Sequence, residues 1–234
     1  MNQPFLIVGL ISVLAATSQA VTIAHYEFEG DSPASSDIES STSMSDVTRG
    51  SGLSGATFSD GDLWVGASVT SPTPTVASND TIGEAMGNAV TNNWYFGFTL
   101  TIPDSVVVDL TSIQYDYSAL ASYYFGVGIA TSLTGFTSGD VLSDSTIMTG
   151  NSGTLAEQTI IADLSGSSFQ GLTDTTVEFR FYVSDASSQS STRTSGRTHF
   201  FDDIQLLGEV SAIPEPSIAL LGGLGLLGLL RRRR

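Results

Sequence analysis

The chain has 234 residues, with 24 Asp and Glu against 8 Lys and Arg, and a formal net charge of −16 at pH 7. This acidic balance argues against nucleic acid and anionic lipid surfaces as partners and is compatible with divalent cations. The chain contains no cysteine, which excludes disulfide scaffolds, zinc–thiolate sites and cysteine nucleophiles. Its length predicts one domain with a sizeable core.

Residues 1–20 have the pattern of a secretory signal peptide. An apolar run over residues 5–16 is followed by Ser18, Gln19 and Ala20, which place small residues before a cleavage point. The region before the apolar run has no Lys or Arg, which departs from the usual pattern and leaves an uncleaved anchor as the alternative. Because the apolar run is short, we predict cleavage after Ala20 and a mature chain that begins at Val21.

From Val21 the apolar side chains alternate with a period of two. A first strand over residues 21–29 would place Ala24, Tyr26 and Phe28 on one face and His25, Glu27 and Glu29 on the other. Residues 31–62 are rich in Ser, Gly, Thr and Asp and are predicted as loop, followed by a short strand over residues 63–69. Residues 79–93 are ambiguous and allow a single helical turn.

Six further strands are predicted, at residues 93–102, 106–117, 123–129, 159–164, 177–183 and 199–210. The strongest alternation is that of Trp94, Phe96, Phe98, Leu100 and Ile102, which predicts a core face. No repeat of fixed period is present, which argues against solenoids and propellers. We predict an all-β fold, an antiparallel β-sandwich of the jelly-roll type, over residues 21–211.

Catalytic motifs are lacking from the sequence. There is no G-x-S-x-G elbow, H-E-x-x-H or serine–lysine motif. The stretch at residues 50–55 matches the letters of a dinucleotide-binding fingerprint, but no apolar strand precedes it and no helix pattern follows, so a surface loop is the better interpretation. We therefore predict a protein that is not an enzyme.

The two ends of the predicted domain carry acidic residues beside aromatic ones, Tyr26 to Glu29 in the first strand and Phe200 to Leu206 in the last. This arrangement resembles the opening and closing strands of jelly-roll domains similar to carbohydrate-binding modules, where acidic groups often hold a structural Ca²⁺. Asp202 shares the parity of Phe200, Ile204 and Leu206, and a carboxylate that faces the core is costly unless it is paired or binds a cation. We predict a Ca²⁺ site formed by Glu27, Glu29 and Asp202. The alternative is that a bulge or the strand end turns Asp202 to solvent.

Other residues on the same strands allow two further interpretations. His25 and His199 with Glu27 suggest a transition-metal site, for which ordinary surface histidines are the alternative. The tyrosines suggest a platform on which sugar rings stack, for which core or sheet-face positions are the alternative. These tyrosines are Tyr115, Tyr117, Tyr123 and Tyr124.

The last 23 residues consist of three parts. Pro214, Glu215 and Pro216 precede an uncharged apolar run over residues 218–230, and Arg231, Arg232, Arg233 and Arg234 close the sequence. A helix of this length covers about 20 Å of a hydrocarbon core of about 30 Å, so it spans a membrane only with local thinning and arginine snorkelling. We predict a transmembrane helix at residues 217–230 with the arginines on the cytoplasmic side. A buried core helix is the alternative, but the run has no polar face.

This order of parts resembles the PEP-CTERM proteins, whose C-terminal tag has a Pro-Glu-Pro triplet, a short apolar helix and a terminal basic cluster. The resemblance implies that residues 212–234 are a sorting signal. It also implies processing by exosortase, an intramembrane cysteine transpeptidase of Gram-negative bacteria that make exopolysaccharide. The protein would then be exported, tethered at the inner membrane by its C-terminal helix, and delivered to the cell surface or extracellular matrix.

Three functions are compatible with these patterns. The first, which we favour, is an exported non-enzymatic protein of the surface or matrix. The second is a carbohydrate-binding module presented at the cell surface with extracellular polysaccharide as its partner, and the third is a hydrolase of matrix polysaccharide.

Overall fold

The described part of the chain contains thirteen strands, one α-helix and two short 3-10 helices, Ser138–Asp140 and Ser167–Phe169. The computed structural model describes residues 21–28, 34–37, 39–59, 63–69, 82–120, 124–148, 158–186 and 198–213. The strands are β1 (Val21–Tyr26), β2 (Ser36–Asp37), β3 (Ser43–Met44), β4 (Thr48–Arg49), β5 (Leu53–Ser59), β6 (Leu63–Val69), β7 (Tyr95–Ile102), β8 (Val106–Leu120), β9 (Tyr124–Thr131), β10 (Ser143–Met148), β11 (Gln158–Asp163), β12 (Thr175–Ala186) and β13 (Thr198–Ala212), and α1 (Ile82–Thr91) lies between β6 and β7.

The strands form two antiparallel sheets. The seven-stranded sheet has the order β11-β8-β13-β1-β2, with β6 also paired to β13 and β5 paired to β6. The six-stranded sheet has the order β10-β9-β12-β7-β3, with β4 also paired to β7. The predicted all-β sandwich of antiparallel sheets is thereby confirmed, while its finer assignment as a jelly roll stays a prediction.

Aromatic rings fill the space between the two sheets. Phe96 of β7 meets Phe201 of β13 at a centroid distance of 5.3 Å, and Tyr115 of β8 meets Phe181 of β12 at 5.1 Å. Both contacts are edge-on and join one sheet to the other, and such pairs contribute about 0.5–1.5 kcal/mol beyond the area they bury. The predicted core face of residues 94–102 is confirmed, because all five of its alternating apolar side chains are buried.

The helix and the loop region differ from the predictions. Helix α1 has ten residues, more than the predicted single turn. It packs against β12 and β9, and its Met86 and Ala89 are buried. Residues 31–62, predicted as loop, contain β2, β3, β4 and β5. Main-chain pairing to β1, β7 and β6 holds these strands. They can therefore form from Ser- and Gly-rich sequences without the apolar alternation that predicts a strand.

The two ends of the described domain lie on neighbouring strands. Strand β1 begins at Val21, directly after the predicted cleavage point, and Val21 is opposite Gly208 of β13. The predicted signal peptide at residues 1–20 and the predicted helix at residues 217–230 lie outside the described residues. Within the described ranges, no helix has the length and apolar character needed to cross a membrane.

Candidate binding face on the larger sheet

A bulge in β13 decides which side chains reach the outer face of the seven-stranded sheet. Asp202 pairs with Asp116 of β8, but the next pair is Gln205 with Gln114, so β13 contains one extra residue between them. Asp203 sits in this bulge with a φ of 47°, in the left-handed region that Asp tolerates better than most residues.

The bulge corrects the parity predicted for this strand. Phe201, and not Phe200, faces the core, and Ile204 is also buried because the extra residue shifts the alternation. Asp202 lies on the outer face, partly buried, opposite Asp116. The prediction that Asp202 faces the core is therefore wrong, and the bulge alternative is what the structure contains.

One row of side chains crosses five strands on this outer face. Cross-strand partners in an antiparallel sheet point to the same side, and four successive pairs connect β11, β8, β13, β1 and β2. At about 4.8 Å per strand the row is about 19 Å long. We call it the outer row, and its members are Ile161, Gln114, Gln205, His25 and Ser36.

His25 is the centre of the polar contacts at one end of the outer row. Its Nε2 contacts Asp203 Oδ1, and its Nδ1 lies 3.0 Å from Glu27 Oε1. Gln205 Nε2 donates to Asp203 Oδ1 at 3.1 Å. Each ring nitrogen of His25 therefore has a carboxylate oxygen within hydrogen-bonding distance.

The predicted Ca²⁺ ligands are only partly described. Glu27 is exposed beside His25, Asp202 Oδ1 accepts a hydrogen bond from the backbone N–H of Asp203 at 2.8 Å, and Glu29 lies outside the described residues. Among the residues that the structure describes, no three His, Asp or Glu side chains converge in a way that suits a metal ion. The Ca²⁺ site stays a prediction.

His199 lies on the inner side of the sheet, opposite to His25. It is fully buried, and its Nδ1 is 2.8 Å from the hydroxyl of Tyr117. Burial lowers the pKa of His199 to about 3, so the imidazole is neutral at physiological pH. The structure does not bring the two histidines together, and the surface alternative is wrong for His199.

Tyr115 and Tyr117 are core residues. Both are fully buried and pack against Phe201, so the interpretation as a sugar-stacking platform is wrong for them and the core alternative is confirmed. The side chains of Tyr123 and Tyr124 lie outside the described part of the structure.

Sequence reasoning missed several residues of the outer row. Gln114, Gln205 and Ile161 occupy outward positions of predicted strands, and that alternation was the available signal. Their proximity depends on β8 and β13 being neighbours, which the alternation within one strand does not reveal.

The outer row combines several hydrogen-bonding groups with one apolar side chain. The amides of Gln114 and Gln205 offer donors and acceptors, and Ile161 is 63% exposed. Such a set suits a flat, hydroxyl-bearing ligand that lies across the strands, because hydroxyls donate and accept at once.

The comparisons with known proteins identify the C-terminal segment. Residues 212–234 match the PEP-CTERM protein-sorting motif, which confirms the resemblance seen in the sequence. The motif indicates an exported, surface-targeted protein. No curated protein matches the chain.

Several solved structures are weakly similar to the folded part. A CBM4 structure is 15% identical, with 67% of this chain and 76% of that chain covered and a TM-score of 0.33. The K1 cleaved adhesin domain of Lys-gingipain from Porphyromonas gingivalis W83 is 14% identical, with 84% and 99% covered and a TM-score of 0.31. The N-terminal cellulose-binding domain of β-1,4-glucanase C from Cellulomonas fimi is 10% identical, with 72% and 88% covered and a TM-score of 0.29. At these scores, nothing about the ligands of this chain follows from the similarities.

Proposed function

We propose that this chain is an exported, non-enzymatic protein of the cell surface or extracellular matrix. In this proposal an exosortase-type transpeptidase processes its C-terminal signal after the helix at residues 217–230 has tethered it at the inner membrane. The observation that carries the proposal is the sorting motif at residues 212–234, directly behind a domain whose last strand ends at Ala212.

The physical roles of the tail support this assignment. Pro214 and Pro216 fix φ near −65° and lack backbone donors, so the triplet cannot extend the sheet or join a helix interior. The arginine cluster at residues 231–234 would hold the short apolar segment in the membrane until the enzyme acts.

Cell fractionation tests the proposal through two tail variants. Replacing Pro214, Glu215 and Pro216 with alanine should leave a full-length protein in the membrane fraction. Replacing the four terminal arginines with serine should let the protein slip through the membrane or insert wrongly. A Ser217→Ala variant serves as the control and should be processed like the wild type. Release of a shortened triplet variant at the wild-type rate would show that the tail is a plain anchor.

A second candidate function, carbohydrate binding, is favoured by the outer row. The row is about 19 Å long from Ile161 to Ser36. Gln114 and Gln205 offer hydrogen-bonding amides inside it, and exposed Ile161 lies at one end. A line of this length suits an extended glycan of several sugar units, and the extracellular polysaccharide around an exported protein is a ligand of that class.

A glycan array tests this second candidate. The purified wild-type protein should bind at least one polysaccharide, and Gln205→Ala should weaken the binding about tenfold, the equivalent of one lost hydrogen bond. Thr101→Ala is the matched control, because Thr101 is exposed on the other sheet, in β7. Absence of binding, or equal loss in both variants, would rule out the outer row as a glycan site.

A further inference from the structure

The folded sheet and the sorting motif overlap in sequence. Strand β13 ends at Ala212, and the backbone N–H of Ile213 still donates to the carbonyl of Ser105 at 2.8 Å. The motif begins at residue 212. Pro214 has no N–H and ends the hydrogen-bond ladder, so the sheet reaches the triplet without a linker.

The hydrogen-bond pattern shows how the last residues of β13 are held. The N–H and C=O of Val108 both bond to Leu172, at 2.8 and 2.9 Å, on the side of β8 that faces away from β13. Val108 and Val210 are therefore a non-hydrogen-bonded pair in the β8–β13 ladder, and the pair types alternate along the strands. It follows that Ser211 is hydrogen-bonded to Val107, and that Val106 and Ala212 are again a non-hydrogen-bonded pair.

A paired strand is a poor substrate for a transpeptidase until its hydrogen bonds to the neighbouring strand break. Peptide bonds in a paired strand are cleaved through an opened state, whose population falls with the free energy of opening. Strand β13 pairs with β8 along nearly its whole length and also with β1 and β6. Opening the end of β13 next to the triplet would break the bonding of Ser211 to Val107 and of Ile213 to Ser105.

The chain between the sheet and the predicted helix is short. Four Cα steps separate Ile213 from Ser217, and they reach at most about 14 Å. A membrane-bound enzyme would therefore meet the triplet directly against the end of the sandwich.

We propose that the sandwich itself determines where the tail is processed. The transpeptidase acts on the folded domain, on a peptide bond at the carboxyl side of Ile213 or later, with β13 fully paired. Folding precedes processing, and the mature protein keeps the whole of β13. This inference rests on the proposed sorting of the chain through its tail.

A cross-strand disulfide tests the inference, since the chain has no cysteine of its own. Val106→Cys with Ala212→Cys places two thiols at a non-hydrogen-bonded pair, where the Cβ atoms are closest. The disulfide prevents the end of β13 from separating from β8. The full-length variant is expressed in the native cells beside the single variants Val106→Cys and Ala212→Cys. The readouts are the ratio of processed to full-length protein, and intact mass, which also reports the loss of the two thiol hydrogens.

We expect the bridged protein to be processed like the single variants, and the wild-type mature protein to retain Ile213. A fall in processing beyond about threefold in the bridged protein alone would mean that the strand must open, and would overturn the inference. A wild-type terminus at or before Ala212 would overturn it as well, whether or not the bridge forms. Failure of the proposed sorting gives a different result, because wild-type protein would then not be shortened at all.

Discussion

The imidazole of His25 contacts the carboxylate of Asp203, although the two residues are 178 positions apart in the sequence. The contact joins β1, at the start of the described domain, to the bulge of β13 near its end. Because the left-handed backbone of Asp203 turns its carboxylate toward β1, the bulge and the histidine together fix how the first and last strands meet. Gln205, a member of the outer row, donates to the same carboxylate.

Asp203→Asn should lower the free energy of unfolding by about 1 kcal/mol, because it removes the charge that faces His25. Urea denaturation of the mature protein measures the change. Asp174→Asn is the matched control: Asp174 is an exposed aspartate that, like Asp203, has a positive φ, of 45°, so the backbone effect of Asn is the same. Equal changes in both variants would show that the contact adds nothing to stability.

The buried histidine predicts a pH dependence of stability. The pKa of His199 is lowered to about 3 by burial, against about 6.5 in an unfolded chain. Between these values the unfolded state binds a proton that the folded state does not. The stability due to neutral His199 is therefore fully present above about pH 6.5 and is lost as the pH falls toward 3.

His199→Gln should remove this dependence, because an amide keeps a hydrogen bond to Tyr117 and does not titrate. The stability advantage of the wild type over the variant should shrink by about 2 kcal/mol between pH 7 and pH 5. Urea denaturation at both pH values gives the difference. An advantage that is the same at both would contradict the effect of burial.

Several of these features were predictable from the sequence, and the others depend on long-range pairing. The alternation from Trp94 to Ile102 gave the core face because every second residue there is large and apolar. The bulge at Asp203 was not predictable in position, since two adjacent aspartates do not reveal which one adopts a positive φ. The outer row was not predictable either, because it requires Gln114 and Gln205 to lie on neighbouring strands that are far apart in sequence.

Arg180 fastens the segment at residues 132–142 to the six-stranded sheet. Its guanidinium lies 4.5 Å from the ring centre of Tyr95 and 3.8 Å from that of Phe136, and its Nε donates to Glu178 at 2.7 Å. Lysine keeps the charge but loses the planar group that stacks between two rings. Arg180→Lys should therefore cost about 1–2 kcal/mol of stability.

Thermal and urea denaturation measure this loss, with Arg49→Lys as the control at an exposed position of β4. Amide exchange of Leu142, whose N–H donates to Ile129 at 2.7 Å, should quicken in Arg180→Lys alone. Unchanged exchange together with unchanged stability would show that the stacked arginine does not hold the segment.

The predicted Ca²⁺ site is tested by the effect of the ion on melting. A ligand that binds only the folded state raises stability by RT ln(1 + [L]/Kd), so Ca²⁺ at about 1 mM should raise the Tm and a chelator should lower it. Asp202→Asn should abolish the difference. The pairing of Asp202 with Asp116 supplies a reason for cation binding, because like charges directly opposite each other destabilise a sheet. Identical melting curves with Ca²⁺ and chelator would mean that no such site exists.

The intact mass of the protein recovered outside the cell tests the proposed sorting in one measurement. We expect the mass of a chain that begins at Val21, retains all of β13 together with Ile213, and lacks the arginine cluster at residues 231–234. One spectrum reports both ends of the mature protein. An exported protein that still carries residues 217–234 would contradict processing through the sorting motif.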